Sequence, residues 1–314
     1  MELSLQNIDR EWLVDVSDLK FIETINIQED HVHIYKAYWR KYQVVCVKKI
    51  KLSPENIKLV DREIDILSKC VHPKICQYLG SGVQTPKKFE HLSMESYVHI
   101  LFEYMEQGNL QNYITKNELS YNTKLDILKS ILIGMHYLSS RTPHKIIHRD
   151  FKPTNILVNK HGEIKICDFG VSKQLYNTDS TFLKRVWSDS LLIVHSDDNT
   201  DISHTGIGTV RWAAPEIILD NNSVYDETCD IYSFGLLAFF VLTDGVVPYF
   251  EEYGNNLAQI SYAKAMHLRP FLEHPAIIQD KHMLHMITKC TEKDSSLRPN
   301  TASLILNTYF LKPT

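Results

Sequence analysis

Residues 145–170 read Lys-Ile-Ile-His-Arg-Asp-Phe-Lys-Pro-Thr-Asn-Ile-Leu-Val-Asn-Lys-His-Gly-Glu-Ile-Lys-Ile-Cys-Asp-Phe-Gly. Asp150 is a carboxylate able to orient a hydroxyl nucleophile, and Lys152 is a cation able to screen a phosphate. Asn155 and Asp168 are oxygen ligands of the kind that hard Mg²⁺ takes. Few reactions require all four in so short a span, and transfer of a γ-phosphoryl group is one of them. An Asp-Phe-Gly alone occurs in ordinary turns. Its distance from His148-Arg149-Asp150 makes the run specific.

Upstream of this run, Leu19–Ile27, His33–Trp39 and Gln43–Ile50 alternate and are rich in β-branched and aromatic residues, which predicts an antiparallel meander. Ser53-Pro54-Glu55 supplies a helix cap, a proline for the first helical position and an acid for the first turn. Ile57, Val60, Ile64 and Leu67 follow at helical spacing, and His72-Pro73 stops the helix. Two more strands are predicted near Ile75–Gly80 and Val98–Tyr104, separated by a polar loop over Gln84–Ser96. Helices dominate after Tyr104: Thr123–Ser139 and Met283–Cys290 are amphipathic, and Ile231–Leu242 is apolar on nearly all faces. Strands first and helices after predict two lobes. Lys173–Thr205 is rich in Ser, Thr, Asp and Asn and is predicted to be a long mobile loop.

Bulk properties exclude several classes. The 314 residues carry a formal charge of −4, which gives no general drive toward nucleic acid. The longest strongly apolar run, Gly235–Leu242, is far short of the ~20 residues of a membrane span. The N-terminus lacks the basic flank and apolar stretch of a secretory signal. Six cysteines without a Cys-x-x-Cys pair point to thiols in a reducing compartment, hence a cytoplasmic location. His282 and His285 could share a helix face, but nothing completes a metal site around them.

The 145–170 run resembles the catalytic loop and metal-binding turn of eukaryotic protein kinases, and further motifs extend the resemblance over roughly Leu19 to Phe310. Val45-Cys46-Val47-Lys48 resembles the kinase Val-Ala-Ile-Lys motif, and Glu63 matches the helix glutamate that pairs with its lysine. Gly208 to Glu216 is similar to the segment that ends the activation loop. Asp230 matches the residue that anchors the catalytic loop, and Arg298 matches the partner of Glu216. The resemblance implies an α+β, bilobal kinase fold: a small antiparallel sheet with one helix, then a larger, mainly helical lobe. Residues 1–18 would be an N-terminal extension and 19–312 the kinase domain, its N-lobe ending near 104 and its C-lobe starting near 105.

It further implies Asp150, Lys152, Lys48 and Glu63 as catalytic residues, with Asn155 and Asp168 holding Mg²⁺. ATP would meet Ile27, Ile34, Cys46, Lys48, Leu157 and the hinge, Glu103 to Met105, with Phe102 guarding the back pocket. Thr209 would contact Asp150 and Lys152, and Leu67, Tyr78, His148 and Phe169 would form the stack that aligns the lobes. Lys152 matches Ser/Thr kinases, and the Gly-Thr-x-x-Trp-x-Ala-Pro-Glu form is similar to tyrosine-kinase-like Ser/Thr kinases, without excluding tyrosine as acceptor. The partners implied are ATP, a protein substrate, and an upstream kinase or self-phosphorylation acting on the 171–209 loop, where Ser203 and Thr205 are favoured. Arg149 before Asp150 fits that mode of control.

One motif is missing. The three glycines of the family's phosphate-binding loop fall on Ile27, Glu29 and Val32, whose side chains obstruct close approach of backbone N–H groups to phosphate. That departure leaves a scaffold without ATP turnover as the alternative.

Overall fold

The structure, a computed structural model, describes residues 10–28, 31–85, 95–176, 207–219 and 226–307. The chain divides into two compact units, 1–108 with 157–170 and 109–156 with 171–314.

The first unit is built on a five-stranded antiparallel sheet of β1 (Leu19–Gln28), β2 (Val32–Trp39), β3 (Gln43–Lys51), β4 (Tyr78–Gln84) and β5 (Tyr97–Glu103), in the order β1-β2-β3-β5-β4. The meander β1-β2-β3 is as the alternation predicts. Helix α1 runs Ile57–Ser68, three residues later than Pro54 suggests. Ser53 and Asn56 explain the delay. The Asn56 N–H donates to Ser53 Oγ (3.3 Å) and the Ser53 N–H donates to Asn56 Oδ1 (2.9 Å), a reciprocal cap around a leading turn. The stripe Val60, Ile64 and Leu67 is buried, and Glu63 lies within it at 4% exposure.

β4 begins at Tyr78 rather than near Ile75, because the preceding residues pair elsewhere. Ile75 forms a parallel bridge with Ile166, and the Cys76 N–H donates to the Ile166 carbonyl (2.8 Å). The outer face of β4 carries residues that precede the sheet. Leu13 bridges Ser81, and the Val14 N–H donates to the Ser81 carbonyl (2.9 Å). Gly80 and Gly82 make room for this strap: a Cβ on Gly82 would stand 2.3 Å from the Val14 carbonyl oxygen, and one on Gly80 2.6 Å from that of Trp12. Val14 thereby joins Ala37, Trp39, Val45, Val47 and Leu101 in one apolar cluster.

The second unit is mainly helical. It includes α2 (Leu110–Lys116) and α3 (Tyr121–Ser139), the latter capped by Ser120, whose hydroxyl accepts the Thr123 N–H. Helix Thr228–Leu242 is buried from Cys229 onward, as its apolar sequence requires. Helix Lys281–Cys290 packs against it where Gly235 leaves no room for a side chain, a Cβ there falling 2.7 Å from Thr291. The predicted loop over Lys173–Thr205 starts instead as a strand: Lys173–Tyr176 pairs antiparallel with His144–Ile147. Its remainder lies outside the described residues, as do Glu29, most of the 84–96 loop, Ser203, Thr205 and the side chain of Thr209.

Candidate active site

In the first unit three charged groups from distant positions meet. Lys48 sits at the centre of β3, opposite Ile34 on β2 and Ile100 on β5. Glu63 projects from the buried stripe of α1. Lys48 Nζ donates to Glu63 Oε1 at 2.7 Å and to Asp168 Oδ1 at 3.3 Å. Burial opposes the charge on Lys48, but Glu63 and Asp168 outweigh it and hold its pKa above the ordinary lysine value. Burial raises Glu63, and the negative charge of Asp168 adds to that rise against the pull of Lys48. Asp168 itself adopts φ 66, the left-handed region that non-glycine residues enter at a cost.

The residues predicted to meet a nucleotide all belong to this unit. Cys46, between Lys36 and Phe102 in the sheet, lies on the same sheet face as Lys48. Ile34 and Leu157 are half-buried and Met105 is buried. Glu103 is fixed by its side chain, which accepts Lys165 Nζ on both oxygens (2.7 Å each) and the Gln77 N–H (2.6 Å). Ile27 is 58% exposed and pairs with His33, in the stretch where the family places glycine. Leu67, Tyr78 and Phe169 are each buried in this unit.

In the second unit the loop 148–155 is held from beneath. Asp230, buried on helix Thr228–Leu242, accepts the N–H groups of His148 and Arg149 at 2.8 Å each. Burial pushes Asp230 up to about 7, against those two bonds, which pull it down. Asp150 Oδ2 accepts Asn155 Nδ2 (2.8 Å) and pairs with Lys152 Nζ (2.7 Å). Its other oxygen, Oδ1, is buried and has no hydrogen-bond partner among the described residues. A buried carboxylate oxygen left so is costly unless something else binds there. Asn155 spends its amide nitrogen on Asp150, also donating to the Asp150 carbonyl (2.9 Å), so its amide oxygen remains the group available to a cation. Arg298 and Glu216 form a two-pronged ion pair at 2.6 and 2.9 Å.

The family model for the protein kinase domain matches residues 31–310. The chain belongs to the protein kinase family. Over 282 residues it is 32% identical to the serine/threonine-protein kinase dst1 of Dictyostelium discoideum, covering 89% of this chain and 33% of that protein. The serine/threonine/tyrosine-protein kinase HT1 of Arabidopsis thaliana is 30% identical over 306 residues, 94% of this chain and 67% of its own length. A mitogen-activated protein kinase kinase kinase 1a of Physcomitrium patens is 28% identical over 283 residues, 88% of this chain and 32% of that protein. The kinase chain thus spans about a third of two of these relatives and two thirds of the third.

Two groups in the kinase were missed by sequence reasoning. Lys264 is 1% exposed and donates to the carbonyls of Arg211 (2.8 Å) and Ala213 (2.5 Å), fixing the backbone of that segment. Its position four residues after the buried Ile260 was the available signal. Lys165, which holds Glu103, had none, because its partner lies 62 residues away.

Proposed function

We propose that this chain is an ATP-dependent protein serine/threonine kinase, transferring the γ-phosphoryl group to hydroxyls of a protein substrate. The observation that carries the reading is Asp150: one carboxylate oxygen held by Asn155 and Lys152, the other buried without a partner among the described residues. An incoming hydroxyl would donate its proton to that oxygen and be oriented for in-line attack. Lys152, beside the same carboxylate, would screen the phosphoryl oxygens, and Lys48, steadied by Glu63, would hold the α- and β-phosphates. Asp168 and the amide oxygen of Asn155 are oxygen donors that suit Mg²⁺, which when bound would neutralise phosphate charge. The adenine would contact Ile27, Ile34, Cys46, Leu157 and the Glu103–Met105 backbone.

Serine and threonine as acceptors follow from Lys152 and from the names of the relatives. The domain is proposed to occupy 19–312, with residues 10–18 contributing to its packing. Phosphorylation of the 171–209 loop by an upstream kinase or by a second copy is proposed as its control, with Arg149 as the responding cation. A cytoplasmic location fits six cysteines that are all thiols. Among the described residues no helix is long and apolar enough to cross a membrane.

A scaffold without turnover is favoured by one observation, the side chains at Ile27 and Val32 where the family has glycine. Purified protein with Mg²⁺ and labelled ATP separates the two readings. Asp150→Asn should lower incorporation by about 10²–10⁴-fold. Equal incorporation by variant and wild type would overturn the enzyme reading.

A further inference from the structure

We propose that Cys76 and Cys167 are an oxidative modification site: a peroxide converts the pair to an intramolecular disulfide directly beside Asp168, and a thiol reductant restores it. The register of the backbone carries this. The Ile166 N–H donates to the Lys74 carbonyl (2.9 Å) and the Cys76 N–H donates to the Ile166 carbonyl (2.8 Å), which sets Ile75 and Ile166 side by side in parallel. One residue further along both segments stand Cys76 and Cys167. The bridge is a single one, and Cys167 directly follows the strand Ile164–Ile166; residues in register beside a parallel bridge point to the same side, at a spacing of about 4.7–4.9 Å between regular strands. A disulfide spans Cα separations of about 4.4–6.8 Å. Both residues are thiols in this structure.

Access and reactivity differ between the two. Cys76 is 2% exposed, whereas Cys167 is half-buried and is the one an oxidant reaches first. Burial raises both thiols well above their ordinary value; the charge Cys76 would carry raises Cys167 further, and Glu103 raises Cys76. In the first step the Cys167 sulfur attacks the peroxide; its O–O bond breaks, water leaves, and a sulfenic acid forms. The Cys76 thiol then displaces the sulfenic oxygen as a second water, closing the S–S bond. Two electrons from the two thiols reduce one peroxide. Cys46, electrostatically coupled to both, is the competing thiol.

The bond would tether the residue before Asp168 to the segment entering β4, so the carboxylate loses the freedom to adjust to a cation and phosphate. That consequence rests on the kinase reading; the bond itself does not. The test treats the full chain with hydrogen peroxide, alkylates remaining thiols and maps unreduced peptides by mass spectrometry. The expected product is a Cys76–Cys167 linked peptide, lighter by two hydrogens than its halves and abolished by dithiothreitol, with Cys46 alkylated. ATP turnover should fall in proportion to the linked fraction. Alkylation of both Cys76 and Cys167, or linkage of Cys167 to Cys46, overturns the site. A linked fraction that leaves turnover intact overturns the consequence. Cys76→Ser should give no linked peptide and should let dimedone trap Cys167; if that variant does not fold, the wild-type map decides alone. If the linked peptide forms in a protein that transfers no phosphate in either state, the kinase reading fails and the disulfide stands.

Discussion

The two groups of candidate residues, one in each unit, are held by different forces. In the first unit Lys48, Glu63 and Asp168 are positioned by one another: charges brought together from 15 and 120 residues apart, largely removed from water. In the second, Asp150 and Asn155 lie five residues apart on one loop, and that loop is fixed through its own backbone by Asp230, 82 residues on. A group held by an opposite charge loses position and stability together when its partner is removed. A group held by backbone bonds can lose its chemistry while its surroundings stand.

The sharpest break of that contrast is Asp150→Asn, which should abolish most phosphoryl transfer while the melting temperature moves little. A large loss of stability there would show that Asp150 is structural. Lys48→Met should do both kinds of damage. Removing one partner of a buried pair costs about 3–5 kcal/mol, since Glu63 and Asp168 are left uncompensated. Denaturant unfolding checks this, and adding Glu63→Leu should recover part of the loss. If the double variant is as unstable as the sum of the singles, the charges are not coupled.

A smaller effect tests the strap on β4. Gly82→Ala sets a methyl against the Val14 carbonyl, so the strap or the strand must shift, at about 1–3 kcal/mol. Unchanged stability would mean residues 12–16 do not hold the sheet. A further effect concerns pH. Asp230 binds its proton more tightly folded than unfolded, from 3.8 up to about 7, so the native state takes up the extra proton in that window. Wild type should therefore lose stability as pH rises from about 4 to about 7. Asp230→Asn should lack that slope, and parallel pH profiles for the two proteins would refute the raised value.

Motifs made the second group the more legible. Asp150, Lys152 and Asn155 stand within six residues, and the constraints of the loop are written into consecutive positions. Lys48 and Glu63 were placed only through a family resemblance, since a lysine on a strand and a glutamate on a helix are ordinarily solvated. α1 starts later than Ser53-Pro54 suggests because Ser53 caps a turn rather than the helix proper, and β4 starts later than Ile75 because Ile75 and Cys76 pair with the segment ending at Ile166. Nothing local signals such a partner. The covering of β4 by Trp12–Val16 was equally hidden: Gly80-Ser81-Gly82 is a common sequence, and its meaning depends on which backbone passes over it.

The amino-acid order alone determined the element types and the grouping of acceptor-orienting, phosphate-screening and cation-holding residues, because period and short spacing are local properties of a chain. Which carboxylate oxygen of Asp150 lacks a hydrogen-bond partner among the described residues, which cation steadies Glu103, and which residue Ile75 bridges were decided only on folding. Those facts depend on distances between residues far apart along the backbone, and such distances exist only once the sheet and helices have packed.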